Sequence, residues 1–365
     1  MKIKEMFGRG YPVFSFEFFP PKTEEGIPVL QQTIRDLVAL RPSFCSVTYG
    51  AGGGTRERTV DLVCFIKNNL RVEAMMHLTC VGHSRDELRR ILDNARDRGI
   101  ENVIALRGDP PKDQKVTGHN REIMVADYQP KDALRGDPPK DQKVTGHNRE
   151  IVVADYQPKD ALRGDPPKDQ KVTGHNREIV VADYQPKEFK PHPDGFRYAA
   201  ELVSLAHSYG CFCICVAGYP EGHVECPDKE EDLRHLKEKV DAGGEVIITQ
   251  LFFDNRDYFN FVERARALGI QTPIVPGILP ILSVKQIKRF TQLCGAKIPA
   301  DLEEKLRQVE TDDEAAAQVG IEHATRQCRE LLERGAPGIH FYVLNKARSV
   351  KAIFYNLGLA RKAAT

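Results

Sequence analysis

The chain has almost no surplus of charge. Its 53 lysines and arginines stand against 52 aspartates and glutamates, a net charge of +1 over 365 residues. That balance gives no basic face for nucleic acid and none for an anionic membrane surface. The chain also lacks any apolar run near the roughly 20 residues that span a bilayer. Its amino terminus, Met1-Lys2-Ile3-Lys4-Glu5-Met6, is basic with no apolar core behind it, so no secretory signal is expected. Nine cysteines in a chain of this length do not make a disulfide framework. Cys211, Cys213 and Cys215 alternate along an apolar run, which predicts buried free thiols on one face of a strand; that spacing is poor for a closed zinc site. No acidic or histidine cluster has clear metal spacing, so no metal is expected. These absences leave a soluble, cytoplasmic protein with reduced thiols as the expectation.

What the sequence does have is one acid in an aromatic run, Val13-Phe14-Ser15-Phe16-Glu17-Phe18-Phe19-Pro20-Pro21. Such a run reads as a buried strand. A carboxylate inside it must be paired, reached by a pocket or protonated, because burying the bare charge costs several kcal/mol or more. Desolvation raises a carboxyl pKa, which suits a general acid near neutral pH. A structural glutamate bonded to a neighbouring backbone group or arginine is the competing reading.

From that strand onward the pattern alternates. Helical spacing at 24–40 is followed by a strand at 44–49, a Gly-rich turn at 50–55 and a helix at 56–69. A strand at 73–80 precedes a helix that Ser84 caps, with Glu87 completing a capping box. The fourth strand is 102–106. After an interruption come helix 196–209, strand 212–218, helix 229–242, strand 246–253, helix 258–268, strand 273–279 and helix 283–293. A helical stretch at 300–333 precedes the last strand, 338–344, and a final helix. Eight strands each followed by a helix predict a parallel sheet closed on itself, an α/β fold of the (β/α)8 TIM-barrel class. Chemistry in such a barrel gathers where the strands end, and Glu17, Thr48, His77, Asp109, Tyr219, Gln250 and Tyr342 all fall there.

The interruption is a tandem repeat. Residues 105–132 recur at 133–160 and again at 161–187, with Met124 standing where the later copies have Val152 and Val180. Each copy carries paired prolines, many charges and little apolar surface, too little to offset the entropy of ordering. The expectation is a single barrel domain, 1–365, with the three repeats of 105–187 as a long polar excursion after the fourth strand. Without two copies the chain is roughly 310 residues, an ordinary barrel length. Arg-Gly-Asp-Pro-Pro therefore occurs three times. Asp109, which continues a credible strand, is preferred over Asp137 and Asp165.

The linked motifs Phe16-Glu17-Phe18-Phe19-Pro20-Pro21, Val47-Thr48-Tyr49-Gly50-Ala51, His77-Leu78-Thr79-Cys80, Ala105-Leu106-Arg107-Gly108-Asp109, Val216-Ala217-Gly218-Tyr219-Pro220-Glu221-Gly222-His223, Ile248-Thr249-Gln250-Leu251-Phe252-Phe253-Asp254, Pro276-Gly277-Ile278-Leu279-Pro280 and His340-Phe341-Tyr342-Val343-Leu344-Asn345 follow one another on successive strands. Together they resemble the methylenetetrahydrofolate reductase family. The resemblance implies bound FAD, reduced by NADH or NADPH, that reduces 5,10-methylenetetrahydrofolate to 5-methyltetrahydrofolate in ping-pong fashion. That is a step of one-carbon metabolism and methionine synthesis. It further implies that Glu17 is the acid that assists opening of the folate ring and Asp109 a carboxylate beside flavin and pterin. Gln250 matches a residue that hydrogen-bonds folate. Phe290 matches an aromatic that packs on substrate or nicotinamide, with Gln286 one turn before it and Tyr342 on the same substrate side.

For FAD the matching positions are Thr48, His77, Leu106, Arg107, Gly108, Asp109, Tyr198, Ala199, Ala217, Tyr219, His223, Asp232, His235 and Lys239. Asp232, His235 and Lys239 recur at helical spacing on one face, where lysine and histidine suit a diphosphate and aspartate a ribose hydroxyl. The glycines at 50–54 lack the dinucleotide fingerprint's spacing and read as a tight barrel turn. The chain ends after the barrel, so feedback through the S-adenosylmethionine-binding region of longer relatives is not expected. A homo-oligomer is expected. Two alternatives stay open: a flavin-binding subunit of an electron-transfer complex, and an inactive barrel scaffold with a repeat arm.

Overall fold

A computed structural model describes residues 1–21, 23–49, 53–108 and 191–360. Eight strands close a barrel in sequence order, β1 (Val13–Phe18), β2 (Phe44–Val47), β3 (Glu73–Thr79), β4 (Asn102–Leu106), β5 (Cys213–Gly218), β6 (Val246–Leu251), β7 (Ile274–Ile278) and β8 (Gly338–Tyr342). Every ladder is parallel, including the closing pair of β1 with β8. The helices are α1 (Gly26–Val38), α2 (Gly53–Cys64), α3 (Arg85–Asp97), α4 (Ala199–Ser208), α5 (Lys229–Asp241), α6 (Asn255–Ala267), α7 (Val284–Cys294), α8 (Ala300–Gln308), α9 (Asp313–Glu333) and α10 (Ala347–Asn356).

The period of two along each strand divides the molecule into two cores. Phe16 and Phe18 point outward into the main cluster beneath the helices, with Ile34, Leu37, Val350 and Phe354. Val13, Phe44, Met75, Ile104, Cys213, Cys215, Val246, Ile248 and Val275 fill the lower interior. A 3-10 turn at Ile3–Met6, which the sequence pattern did not reveal, plugs that end with Ile3 and Met6. Asn102 holds the plug: its Oδ1 accepts from the Ile3 amide at 2.8 Å. All nine cysteines are free. Cys213 and Cys215 share the inward face as expected, but Cys211 precedes the strand and packs against the outer cluster.

The elements differ from the sequence pattern mainly at their ends. The helical stretch expected at 300–333 is two helices, because Asp312 caps a new one, accepting from the Glu314 and Ala315 amides. Asp254 likewise starts α6 at Asn255. α2 begins at Gly53 and its last turn widens to a π-turn at Phe65–Asn69. The Ser84–Glu87 capping box forms as expected. Among the described residues no helix is long and apolar enough to cross a membrane. The repeats beyond Gly108 lie outside the described residues.

Candidate active site

Above the apolar plug the barrel interior turns polar. Ser15 and Glu17 from β1, Ser46 from β2, His77 from β3 and His340 from β8 are all buried. Ladder register puts Ser15 beside His340 and Glu17 beside both Ser46 and Tyr342. Glu17 Oε2 lies 3.2 Å from His340 Nε2 and 3.3 Å from His77 Nε2. The other nitrogen of His340, Nδ1, meets the Ser15 hydroxyl at 2.8 Å. His340 thus bridges a hydroxyl and a carboxylate, whereas His77 Nε2 and Ser46 Oγ are buried with no hydrogen-bond partner among the described residues.

The electrostatics correct one expectation. Burial pushes Glu17 up, as the sequence suggested, but facing His77 and His340 outweigh it and hold the carboxyl below its ordinary value. Burial, with a smaller push from His340, lowers His77 to about 4 against the pull of Glu17. In the free protein Glu17 is therefore a carboxylate between imidazoles rather than a standing acid.

A second group of residues gathers where β4 and β5 end. Lys239 of α5 reaches back to the strand, its Nζ donating to the Ala217 carbonyl at 2.6 Å and lying 5.6 Å from the centre of the Tyr219 ring. Burial lowers its pKa to about 8, with Asp232 opposing. Burial raises Asp232 and lowers His223. The rings of Tyr219 and His223 meet edge to face at 4.6 Å. Arg107 makes a two-toothed contact with Glu225 at 2.5 and 2.7 Å. Gly108 follows with φ of +88°, a conformation that glycine adopts without strain.

The remaining predicted residues divide. Thr48 follows β2, its amide donating to the Phe18 carbonyl and its own carbonyl accepting from the Thr59 hydroxyl. Leu106 closes β4, partly buried against the lower interior. Ala199 opens α4, and Tyr198 before it is exposed under the Arg197 guanidinium. His235 stands half in solvent, 3.4 Å from Glu231, rather than turning inward with Asp232 and Lys239. Gln286 is exposed on the first turn of α7, and Phe290, one turn on, packs against the cluster that contains Leu251 and Leu279. Gln250 borders a small pocket with Tyr219, Glu221, Cys294 and Ala296. The Tyr342 hydroxyl, expected on the substrate side, donates instead to the Thr249 carbonyl at 2.6 Å. Asp109, and with it Asp137 and Asp165, lies outside the described residues. Among the described residues no group of His, Cys, Asp or Glu is arranged to hold a metal ion.

Sequence reasoning passed over Ser15, Ser46, Thr249 and His340. The signal was present for two of them: Ser15 and His340 sit at the inward phase of strands whose other members, Glu17 and Tyr342, had been singled out.

The profile of the methylenetetrahydrofolate reductase family matches residues 2–128 and 160–358. A relative in Arabidopsis thaliana, methylenetetrahydrofolate reductase (NADH) 1, is 35% identical over 369 residues, covering 98% of this chain and 50% of its own. The 5,10-methylenetetrahydrofolate reductase of Escherichia coli is 33% identical over 345 residues, covering 94% of this chain and 90% of its own. The chain thus spans about half the length of the plant relatives it matches. A solved Clostridium thermocellum protein, described as binding two copies of 5-methyl-5,6,7,8-tetrahydrofolic acid, superposes with a TM-score of 0.53 at 14% identity over 96% of this chain and 94% of its own. At that identity it speaks for the fold alone.

Proposed function

The chain belongs to the methylenetetrahydrofolate reductase family, and from that premise we propose that it reduces 5,10-methylenetetrahydrofolate to 5-methyltetrahydrofolate, using FAD that NADH or NADPH has reduced in a preceding half-reaction. The observation that carries this reading is the buried Glu17 carboxylate, hydrogen-bonded to His340 and through it to Ser15.

The residues at the ends of β4 and β5 fit FAD. Lys239 is a half-buried ammonium with no carboxylate ion pair among the described residues, which suits the anionic oxygens of a diphosphate. Asp232, partly buried beside it, suits a ribose hydroxyl. Thr48, Leu106, Arg107, Gly108, Tyr198, Ala199, Ala217, Tyr219, His223 and His235 complete the proposed cofactor wall, to which the family resemblance adds Asp109, outside the described residues. Bound FAD supplies the hydride; the protein supplies position and charge.

The folate's five-membered ring must open before its bridging carbon accepts hydride, and opening needs a proton on the departing nitrogen. Glu17 delivers it. A pterin entering the mouth excludes water, and loss of water favours the neutral carboxyl over the carboxylate. Glu17 takes up that proton as the substrate binds, while His340 holds the carboxyl through the 3.2 Å bond to Oε2. Ser15 fixes the ring of His340 while this happens. Gln250 hydrogen-bonds the pterin, and Phe290 with Gln286 closes over the substrate or nicotinamide.

Anaerobic mixing tests the reading. NADH or NADPH should bleach the yellow protein, and methylenetetrahydrofolate should restore its colour with formation of methyltetrahydrofolate. Bleaching that only oxygen or an artificial acceptor reverses would overturn it in favour of an electron-transfer subunit.

A further inference from the structure

The β6–β7 ladder is irregular where the proposed folate-binding amide sits. Ile248 pairs with Val275 and Leu251 with Gly277, so Thr249 and Gln250 face the single residue Pro276. Proline has no N–H to give the ladder, which is why a bulge forms here. A bulge strands backbone groups, and stranded groups in a barrel wall carry a free-energy cost unless something bonds them. Three side chains do so. Thr249 Oγ1, fully buried, accepts from the Gly277 amide at 2.9 Å. Tyr342 reaches across from β8 and donates to the Thr249 carbonyl at 2.6 Å. Gln250 Oε1 accepts from the Leu251 amide at 3.0 Å.

Gly277 is the residue that lets these meet. A Cβ there would lie 2.2 Å from the Thr249 carbonyl oxygen and 2.8 Å from the Tyr342 hydroxyl. Tyr342 is also the register partner of Glu17 across β1 and β8. One side chain therefore ties the ring that carries the proposed acid to the bulge that carries the proposed folate amide. With Oε1 engaged, Gln250 Nε2 donates to nothing among the described residues and is left for an acceptor in the pocket it borders.

We propose that Thr249 and Tyr342 form a latch that holds the β6 bulge and so aims the Gln250 amide at an acceptor atom, a carbonyl or ring nitrogen, of the bound pterin. Both are positioning residues that act through Gln250, and the proposal rests on the folate reading above. It gives Tyr342, expected as a substrate contact, a role in the barrel wall, where its hydroxyl donates to the Thr249 carbonyl.

The test uses the full FAD-loaded chain with Thr249→Val, which is near-isosteric and removes Oγ1, Thr249→Ser, which keeps it, and Gln250→Leu. Hydrogen exchange followed by mass spectrometry reads the latch without any turnover: Thr249→Val should speed exchange at the Gly277 amide, and Thr249→Ser should not. In steady state Thr249→Val should raise KM for methylenetetrahydrofolate about tenfold, with Thr249→Ser near wild type. On the Gln250→Leu background, Thr249→Val should add less than about twofold, because its effect passes through the amide already removed. Unchanged exchange at Gly277, or penalties that multiply in the double variant, would overturn the latch. A wild-type chain that turns over no folate would sink the functional reading instead, and the exchange arm would still decide whether the latch exists.

Discussion

A carboxylate between two imidazoles can hold a proton in several places, and the protein around it chooses among them. Here burial pushes the Glu17 carboxyl up, yet His77 and His340 hold it below its ordinary value. Glu17→Gln keeps the shape and the bond to His340 but has no proton to give. The variant should take up FAD and bleach with NADH normally while folate turnover falls by at least about 100-fold; normal folate turnover would remove Glu17 from the mechanism. His77 makes a separate prediction about stability. Its folded pKa is about 4 against an ordinary 6.5, so on acidification the unfolded chain binds the proton first. Stability is full above pH 6.5 and drains as pH falls towards 4, and Glu17 adds a loss of the same sign below its own ordinary value. Between pH 6.5 and 5 the wild type should lose about 2 kcal/mol more than His77→Gln, read from urea unfolding at each pH. Equal losses would mean that the imidazole is not held neutral.

This scale also shows what the sequence could and could not reveal. Glu17 was legible because an acid in an aromatic run is a local contradiction that needs a reason. The sign of its pKa was not, because His77 and His340 come from strands 60 and 323 residues away in sequence, and no local pattern states that such residues converge. Tyr342 was legible as a rim residue by phase, but its partner Thr249 is set by the bulge opposite Pro276, a matter of register between strands.

At the level of elements, α5 does more than cover the barrel. It brings Lys239 back to the end of β5, where the ammonium bonds the Ala217 carbonyl and is lowered to about 8 by burial. An anion bound beside it restores the charged form, so cofactor binding takes up a proton above pH 8. The affinity for FAD should therefore be flat below pH 8 and fall by up to about tenfold per unit above it. Titrating apoprotein with FAD by fluorescence at pH 7, 8 and 9 reads this directly. Lys239→Arg should keep tight binding and lose the alkaline fall, since arginine stays charged. A dissociation constant that does not change up to pH 9 would put the diphosphate elsewhere. Helical spacing gave Asp232, His235 and Lys239 as one face, and the fold separates them: Asp232 and Lys239 are partly buried, whereas His235 stands near Glu231 in solvent. Spacing fixes which residues share a face but not how the helix is rotated on the sheet.

For the whole molecule, the question is what the repeats do to the barrel. The ladder between β4 and β5 runs from Asn102 beside Cys213 to Ala105 beside Val216, and no residue between 109 and 190 takes part in it. The family profile passes over 129–159, a stretch within the repeated region. The barrel is sealed below by Ile3 and Met6 and closed between β1 and β8, neither of which draws on the repeats. If the repeats are an excursion, their removal alters only the entropy of one long connection, which changes slowly with length. Deleting 133–187, so that Glu188 follows Asp132, should leave the melting temperature within about 4 °C of the parent. FAD binding should survive as well, because the deletion keeps the first copy and with it Asp109. A soluble, yellow, shortened protein would establish the single-barrel organisation. Aggregation on deletion would show that later copies supply part of the barrel wall, and a folded but colourless product would show that Asp165 of the third copy, not Asp109, completes the flavin site.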